Sequence, residues 1–157
     1  MNSESNLKER DMKTVRNIFE SKNTEVATVP VGTTIRQAVK VMTEMSIGSV
    51  LITDGKGLRG IFTERDVMKR VVAHNMDPDT TLVDDVMSTD IMTCSLDDTI
   101  EEVSRFISTA RKRHIPITEK GKLVGICTAG DIMASVLEDR TIQVEHLKNY
   151  IQGNITT

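Results

Sequence analysis

Apolar residues follow two alternating rhythms along this chain. Ile35, Ala38, Val39, Met42 and Met45 recur at helical spacing, and Ile100, Val103, Phe106, Ile107 and Ala110 do the same further on. After each stripe comes a short run rich in β-branched residues, "GSVLIT" and "HIPIT". The turns "DGKG" and "EKGK" separate these runs from "LRGIF" and "LVGIC", which predicts a β-hairpin each time. A second helical stripe then closes each unit, with Val67, Met68, Val71 and Val72 in one and Ile132, Met133, Val136 and Leu137 in the other. "TVPVGTTI" and "TCSLDDTI" open the units as a short strand and turn, with Thr33 or Asp98 placed to cap the helix that follows. The predicted order is strand, helix, strand, strand, helix, twice: an α/β (α+β) fold.

The two units are copies. A shift of 65 residues aligns 24–72 on 89–137 without a gap, and 13 of the 49 pairs are identical, including Thr24, Gly60, Ile61, Thr63 and Asp66. That regularity marks an internal duplication. A short amphipathic lead precedes each copy, with Val15, Ile18 and Phe19 matching Val83, Val86 and Met87. The first lead is followed by three extra residues. The expected organisation is a polar segment 1–11, a first repeat 12–72, a linker 73–82 with a turn at Asp77, Pro78 and Asp79, a second repeat 83–138, and a helical tail 139–157 that stops near Gly153. A unit of this size buries too little surface to stand confidently alone, so the copies are expected to pack as one pseudo-two-fold module.

Composition narrows the function. With a net charge of −3, no Trp and three Phe among 157 residues, the chain lacks the basic surplus and the stacking platforms of a nucleic-acid binder. No apolar stretch is long enough to span a bilayer, and the polar start carries no secretory signal, so the sequence reads as cytoplasmic. Cys94 and Cys127, the only cysteines, have neither metal-site spacing nor a disulfide framework and read as buried hydrophobes. No Cys–His or Ser–His constellation or paired carboxylates single out a catalytic centre, so no enzyme, catalytic cofactor or metal site is expected.

The repeated "GIFTERD" and "GICTAGD" carry the candidate chemistry. Thr-x-x-Asp at a helix start is first a capping signature. The same geometry suits a ribonucleotide. A strand ending at a helix N-terminus leaves unpaired N–H groups for phosphate. A carboxylate one turn in can accept hydrogen bonds from two vicinal hydroxyls. The Gly before the strand keeps bulk away from a docking base.

The stretches "TIRQAVKVMTEMSIGSVLITDGKGLRGIFTERDVMKRVV" and "TIEEVSRFISTARKRHIPITEKGKLVGICTAGDIMASVL" resemble the cystathionine β-synthase (CBS) domain family. The tail is similar to the ending of small stand-alone members. The resemblance implies a disc-like pair, a Bateman module, that regulates some other protein and holds adenosine compounds in two composite clefts. AMP is the leading ligand, with ADP, ATP, NADH or S-adenosylmethionine as variants. Carried onto this sequence, cleft one takes Ile61, Thr63 and Asp66 with Ile91, Met92, Arg113 and His114. Cleft two takes Ile126, Thr128 and Asp131 with Val26, Ala27, Gly48 and Ser49. "RKR" at 111–113 makes cleft one basic, whereas cleft two offers Gly48 and Ser49 at the matching positions. A homodimer through apolar helix faces is expected. The alternative is a structural or partner-binding pair with no physiological nucleotide.

Overall fold

In each repeat a short strand runs parallel to the first arm of a hairpin. The computed structural model describes residues 12–22 and 26–152, so the polar segment 1–11, Thr24 and the proposed stop at Gly153 lie outside the described residues. The chain opens with helix α1 (Val15–Ser21), then β1 (Thr28–Pro30), α2 (Ile35–Met45), β2 (Ser49–Asp54) and β3 (Gly57–Thr63). Next comes α3, one α-helical turn (Glu64–Asp66) that continues as a π-helical segment (Val67–Val72). Repeat two follows with β4 (Cys94–Ser95), α4 (Ile100–Ala110), β5 (His114–Glu119), β6 (Lys122–Thr128) and α5 (Ala129–Ile151). The sheet orders are β1-β2-β3 and β4-β5-β6. β1 is parallel to β2 and β2 antiparallel to β3; β4, β5 and β6 repeat the arrangement. Within the predicted tail, residues 139–151 continue α5 without a break.

The hairpin turns form where the glycine-rich pairs fall. Asp54 Oδ1 accepts from the N–H groups of Lys56 and Gly57 at 2.7 and 3.0 Å. In the second turn Lys120 and Gly121 both take the left-handed conformation, with φ of 51° and 76°.

The helix starts correct one expectation. Thr34 and Thr99, not Thr33 and Asp98, cap α2 and α4. Each start offers two capping residues side by side, and the residue three positions on chooses between them. Gln37 Oε1 accepts from the Thr34 N–H at 3.1 Å and Glu102 Oε2 from the Thr99 N–H at 2.9 Å, completing a capping box in each copy. Thr33 Oγ1 instead donates to the Pro30 carbonyl at 2.7 Å, and Asp98 Oδ2 accepts from the Ser95 N–H at 2.8 Å.

Each repeat has its own core, and each core is completed by the other repeat's lead. Val15 and Ile18 of α1 are buried with Leu96, Val103, Ile115 and Ile117 of repeat two. Val83 and Val86 are buried with Val29, Ile35, Val50 and Phe62 of repeat one. Backbone pairing follows the same exchange: Thr14 bridges Thr99, and Leu82 bridges Thr34. The glycines of the repeated motif make the exchange possible. A Cβ at Gly60 would lie 2.7 Å from Met87 Cγ, and one at Gly125 would lie 3.0 Å from the Phe19 ring. Their missing side chains therefore admit the leads; the space set aside for a docking base is used by Met87 and Phe19.

Cys94 and Cys127 are free and buried in the repeat-two core, as expected for small apolar residues. Burial pushes both thiols up to about 12, which keeps them protonated and unreactive. No helix among the described residues is long and apolar enough to cross a membrane. Among the described residues no cluster of three or more metal-ligating side chains forms.

Candidate functional site

The Thr and Asp of each motif hold one another. Thr63 ends β3, and its N–H and hydroxyl donate to Asp66 Oδ2 at 2.9 and 3.2 Å. The Asp66 N–H returns to Thr63 Oγ1 at 3.4 Å. In repeat two the Thr128 N–H donates to Asp131 Oδ2 at 2.9 Å, and the Asp131 N–H to Thr128 Oγ1 at 3.1 Å. The capping reading therefore holds in the structure, and it aims each carboxylate along the mouth of its helix.

Cleft one is a cavity of about 720 Å³. Ile61, Thr63 and Asp66 of repeat one line it together with Arg113 and His114 of repeat two. Ile91 and Met92 do not line it; they lie half-buried on the irregular approach to β4. Arg65, Arg70, Arg111 and Lys112 add to the positive wall, and Glu64 joins Asp66 as the acidic part. Arg70 was not foreseen, although its place four residues after Asp66 signals a helix-surface pair. Its Nε lies 3.5 Å from Asp66 Oδ1, and its Nη1 donates to the Val86 carbonyl at 2.7 Å. Ser88 also lines the cavity; it exchanges backbone hydrogen bonds with Ile61 at 3.0 and 2.9 Å and so extends the sheet along the cleft floor.

The residues predicted for cleft two have these surroundings. Ala27 packs on the repeat-one core, its carbonyl accepting from the Leu51 N–H at 3.0 Å, and Val26 beside it is half-buried. Ser49 is buried in register with Thr63. At Gly48 the Glu64 carboxylate fills the space a side chain would take, and the Glu64 N–H donates to the Gly48 carbonyl at 3.0 Å. Asp131 instead meets Lys22, whose Nζ lies 2.7 Å from Oδ2 and 3.5 Å from the Ile126 carbonyl. Sequence reasoning gave no sign of Lys22, which stands 109 positions from its partner in the chain.

Charge sharpens the contrast. Burial works to raise the Asp131 carboxyl, but the Lys22 ammonium and the Thr128 donors outweigh it and hold the group below the usual carboxylate range. His114 is pushed below the ordinary imidazole range, mainly by burial. Lys22 and Arg113 push it the same way, while Glu64 and Asp131 oppose them. The imidazole thus feels carboxylates of both repeats, Glu64 and Asp131.

Two three-stranded half-sheets, exchanged leads and a ligand-sized cleft lined by both repeats define a paired two-repeat module. The chain matches the CBS domain family over residues 15–73 and 83–138, and it belongs to that family. It is 28% identical over 124 residues to the CBS domain-containing protein YhcV of Bacillus subtilis (strain 168), covering 79% of this chain and 88% of that one. A solved CBS-domain protein from Burkholderia ambifaria MC40-6 shares 31% identity at a TM-score of 0.78, covering 81% of this chain and 96% of its own. The CBS domain pair of protein MJ0100, solved in complex with 5′-methylthioadenosine and S-adenosyl-L-methionine, shares the fold at 22% identity and a TM-score of 0.72, covering 82% and 98%.

Proposed function

We propose that this CBS pair is a regulatory module that takes an adenine nucleotide, AMP foremost, in cleft one and relays its occupancy to a partner protein. One observation carries the reading: a single cavity gathers Thr63 and Asp66 of one repeat with Arg113 and His114 of the other. Asp66 accepts the ribose hydroxyls, Ile61 offers an apolar strand to the base, and Thr63 with the Arg113 guanidinium receives the phosphate. The adenosine ligands of the MJ0100 pair support the ligand class on this fold. The cationic wall of Arg65, Arg111, Lys112 and Arg113 favours a phosphorylated ligand over one bearing a cationic sulfonium. The repeats 12–72 and 83–138 act as one unit in this reading, and a second copy docks on exposed helix residues such as Met68, Val72, Met133 and Leu137.

Thermal unfolding tests the ligand. AMP at ~100 times its dissociation constant adds about 2.7 kcal/mol. For a chain of this length that raises Tm by about 5–10 °C. Asp66→Ala removes the shift, whereas Asp131→Ala keeps it. A protein that responds to none of AMP, ADP or ATP is instead a pair without a physiological nucleotide.

A further inference from the structure

The two clefts diverge because their leads end differently. Beyond Met87 the chain straightens, and Ser88 pairs with Ile61 through the backbone. Three residues past Met87, Asp90 meets Lys112 on the rim of cleft one, Oδ2 to Nζ 3.2 Å. Beyond Phe19 the helix runs on to Ser21, and three residues past Phe19 stands a cation, Lys22. Its Nζ bonds both the carboxylate and the β6 carbonyl of cleft two, at Asp131 and Ile126. Those are the two groups that would meet a ribose and a base. The pair is well shielded, with 26% and 21% of the side chains exposed.

We propose that Lys22 is an intramolecular latch on cleft two: its ammonium holds Asp131, so a ligand diol reaches that carboxylate only by displacing the lysine and freeing the end of α1. The proposal rests on reading the motif aspartate as a ribose acceptor. A carboxylate can accept from an ammonium or from a vicinal diol, and at 2.7 Å the ammonium already occupies Oδ2. Cleft one lacks a cation from the lead: there the lead supplies an acid and sends it to a rim lysine. The nearest cation to Asp66 is Arg70 of its own helix, at a looser 3.5 Å from Oδ1 and also bonded to the Val86 carbonyl. The latch makes the clefts respond in sequence, cleft one at lower ligand and cleft two at higher. It also ties occupancy of cleft two to α1, which packs through Val15 and Ile18 in the repeat-two core.

The test uses the full chain with Asp66→Ala, so that only cleft two is read, and compares it with Lys22→Met added. Lys22→Gln serves as a second variant, and melting curves check the fold of each. In calorimetry, loss of the lysine tightens adenosine binding by up to about fivefold, the range expected for relief of one partly exposed ion pair. 2′-Deoxyadenosine, which lacks the diol, gains less. Equal or weaker adenosine binding in both lysine variants overturns the latch. A ligand-free readout is the carboxyl carbon resonance of Asp131, whose neighbours are Lys22, His114 and the Cys127 thiol. Its titration midpoint rises when the lysine is lost, and an unmoved midpoint overturns the latch by itself. A raised midpoint without adenosine binding in any variant overturns the competition between lysine and diol. AMP binding by the unaltered protein distinguishes that failure from failure of the cleft-one reading.

Discussion

His114 is the one imidazole lining cleft one, and burial keeps it neutral. Its folded pKa lies below the unfolded value of about 6.5. As pH falls through about 6.5 the unfolded chain takes up the proton first, so stability is lost between there and the lower folded value. His114→Asn is expected to flatten the fall in Tm between about pH 7 and pH 5.5. A bound phosphate reverses the preference, because an anion favours imidazolium. If AMP is the ligand, its binding is expected to take up a proton at His114, and calorimetry near pH 7 in buffers of different ionisation heat reads that uptake. Arg113→Ala is expected to weaken AMP by about 1.5–3 kcal/mol and leave adenosine nearly unchanged, the difference a hydrogen bond to a charged phosphate makes. Calorimetry with both ligands reads it, and equal losses would assign Arg113 to the fold or the base. At this scale the sequence was legible wherever partners are near: Thr63 with Asp66 and Thr128 with Asp131 pair across one helical turn. Lys22 was not legible, because its contact with Asp131 exists only after the leads have crossed.

Helices, strands and hairpins followed from apolar spacing and turn residues. The misses were local choices that spacing does not make. Adjacent capping candidates were resolved by Gln37 and Glu102. The second stripe of repeat one was legible as helical, but its π-helical winding over Val67–Val72 was not, since the matching residues of repeat two are α-helical. The motif glycines were legible as positions needing space, and only packing shows what uses it. Gly60→Ala forces its Cβ against Met87 along the length of that side chain, not just its flexible tip. The expected cost is about 1–3 kcal/mol. Adding Met87→Ala recovers much of it, giving a large interaction energy in a double-mutant cycle of chemical denaturation. Strict additivity would show that Met87 is not the neighbour that matters.

For the whole molecule, the duplication was plain in the sequence, and the crossing of its leads was not. Both leads carry the same apolar pattern, so periodicity cannot say which core receives which lead. The structure sends Ile18 to repeat two and Val86 to repeat one. Ile18→Ala, costing about 2–5 kcal/mol, is expected to loosen repeat two first. Hydrogen exchange should then speed up in β5 and β6 before β2 and β3, and Val86→Ala should give the opposite order. Faster exchange in repeat one on Ile18→Ala would contradict the crossing.

The crossing also sets a timetable for the newborn chain. Repeat one can close once the lead from Val83 to Ser88 has left the ribosome, for its buried core draws on nothing later. Val15 and Ile18 are made before that, yet their partners extend to Ile132 near the far end of the second copy. At roughly 5–20 residues per second these two side chains stay wet for on the order of ten seconds. During that interval the repeat that is finished first stands beside an apolar lead it cannot use. Helix α1, made before every other described element, is thus among the last of them to find its place, and it closes the later of the two repeats.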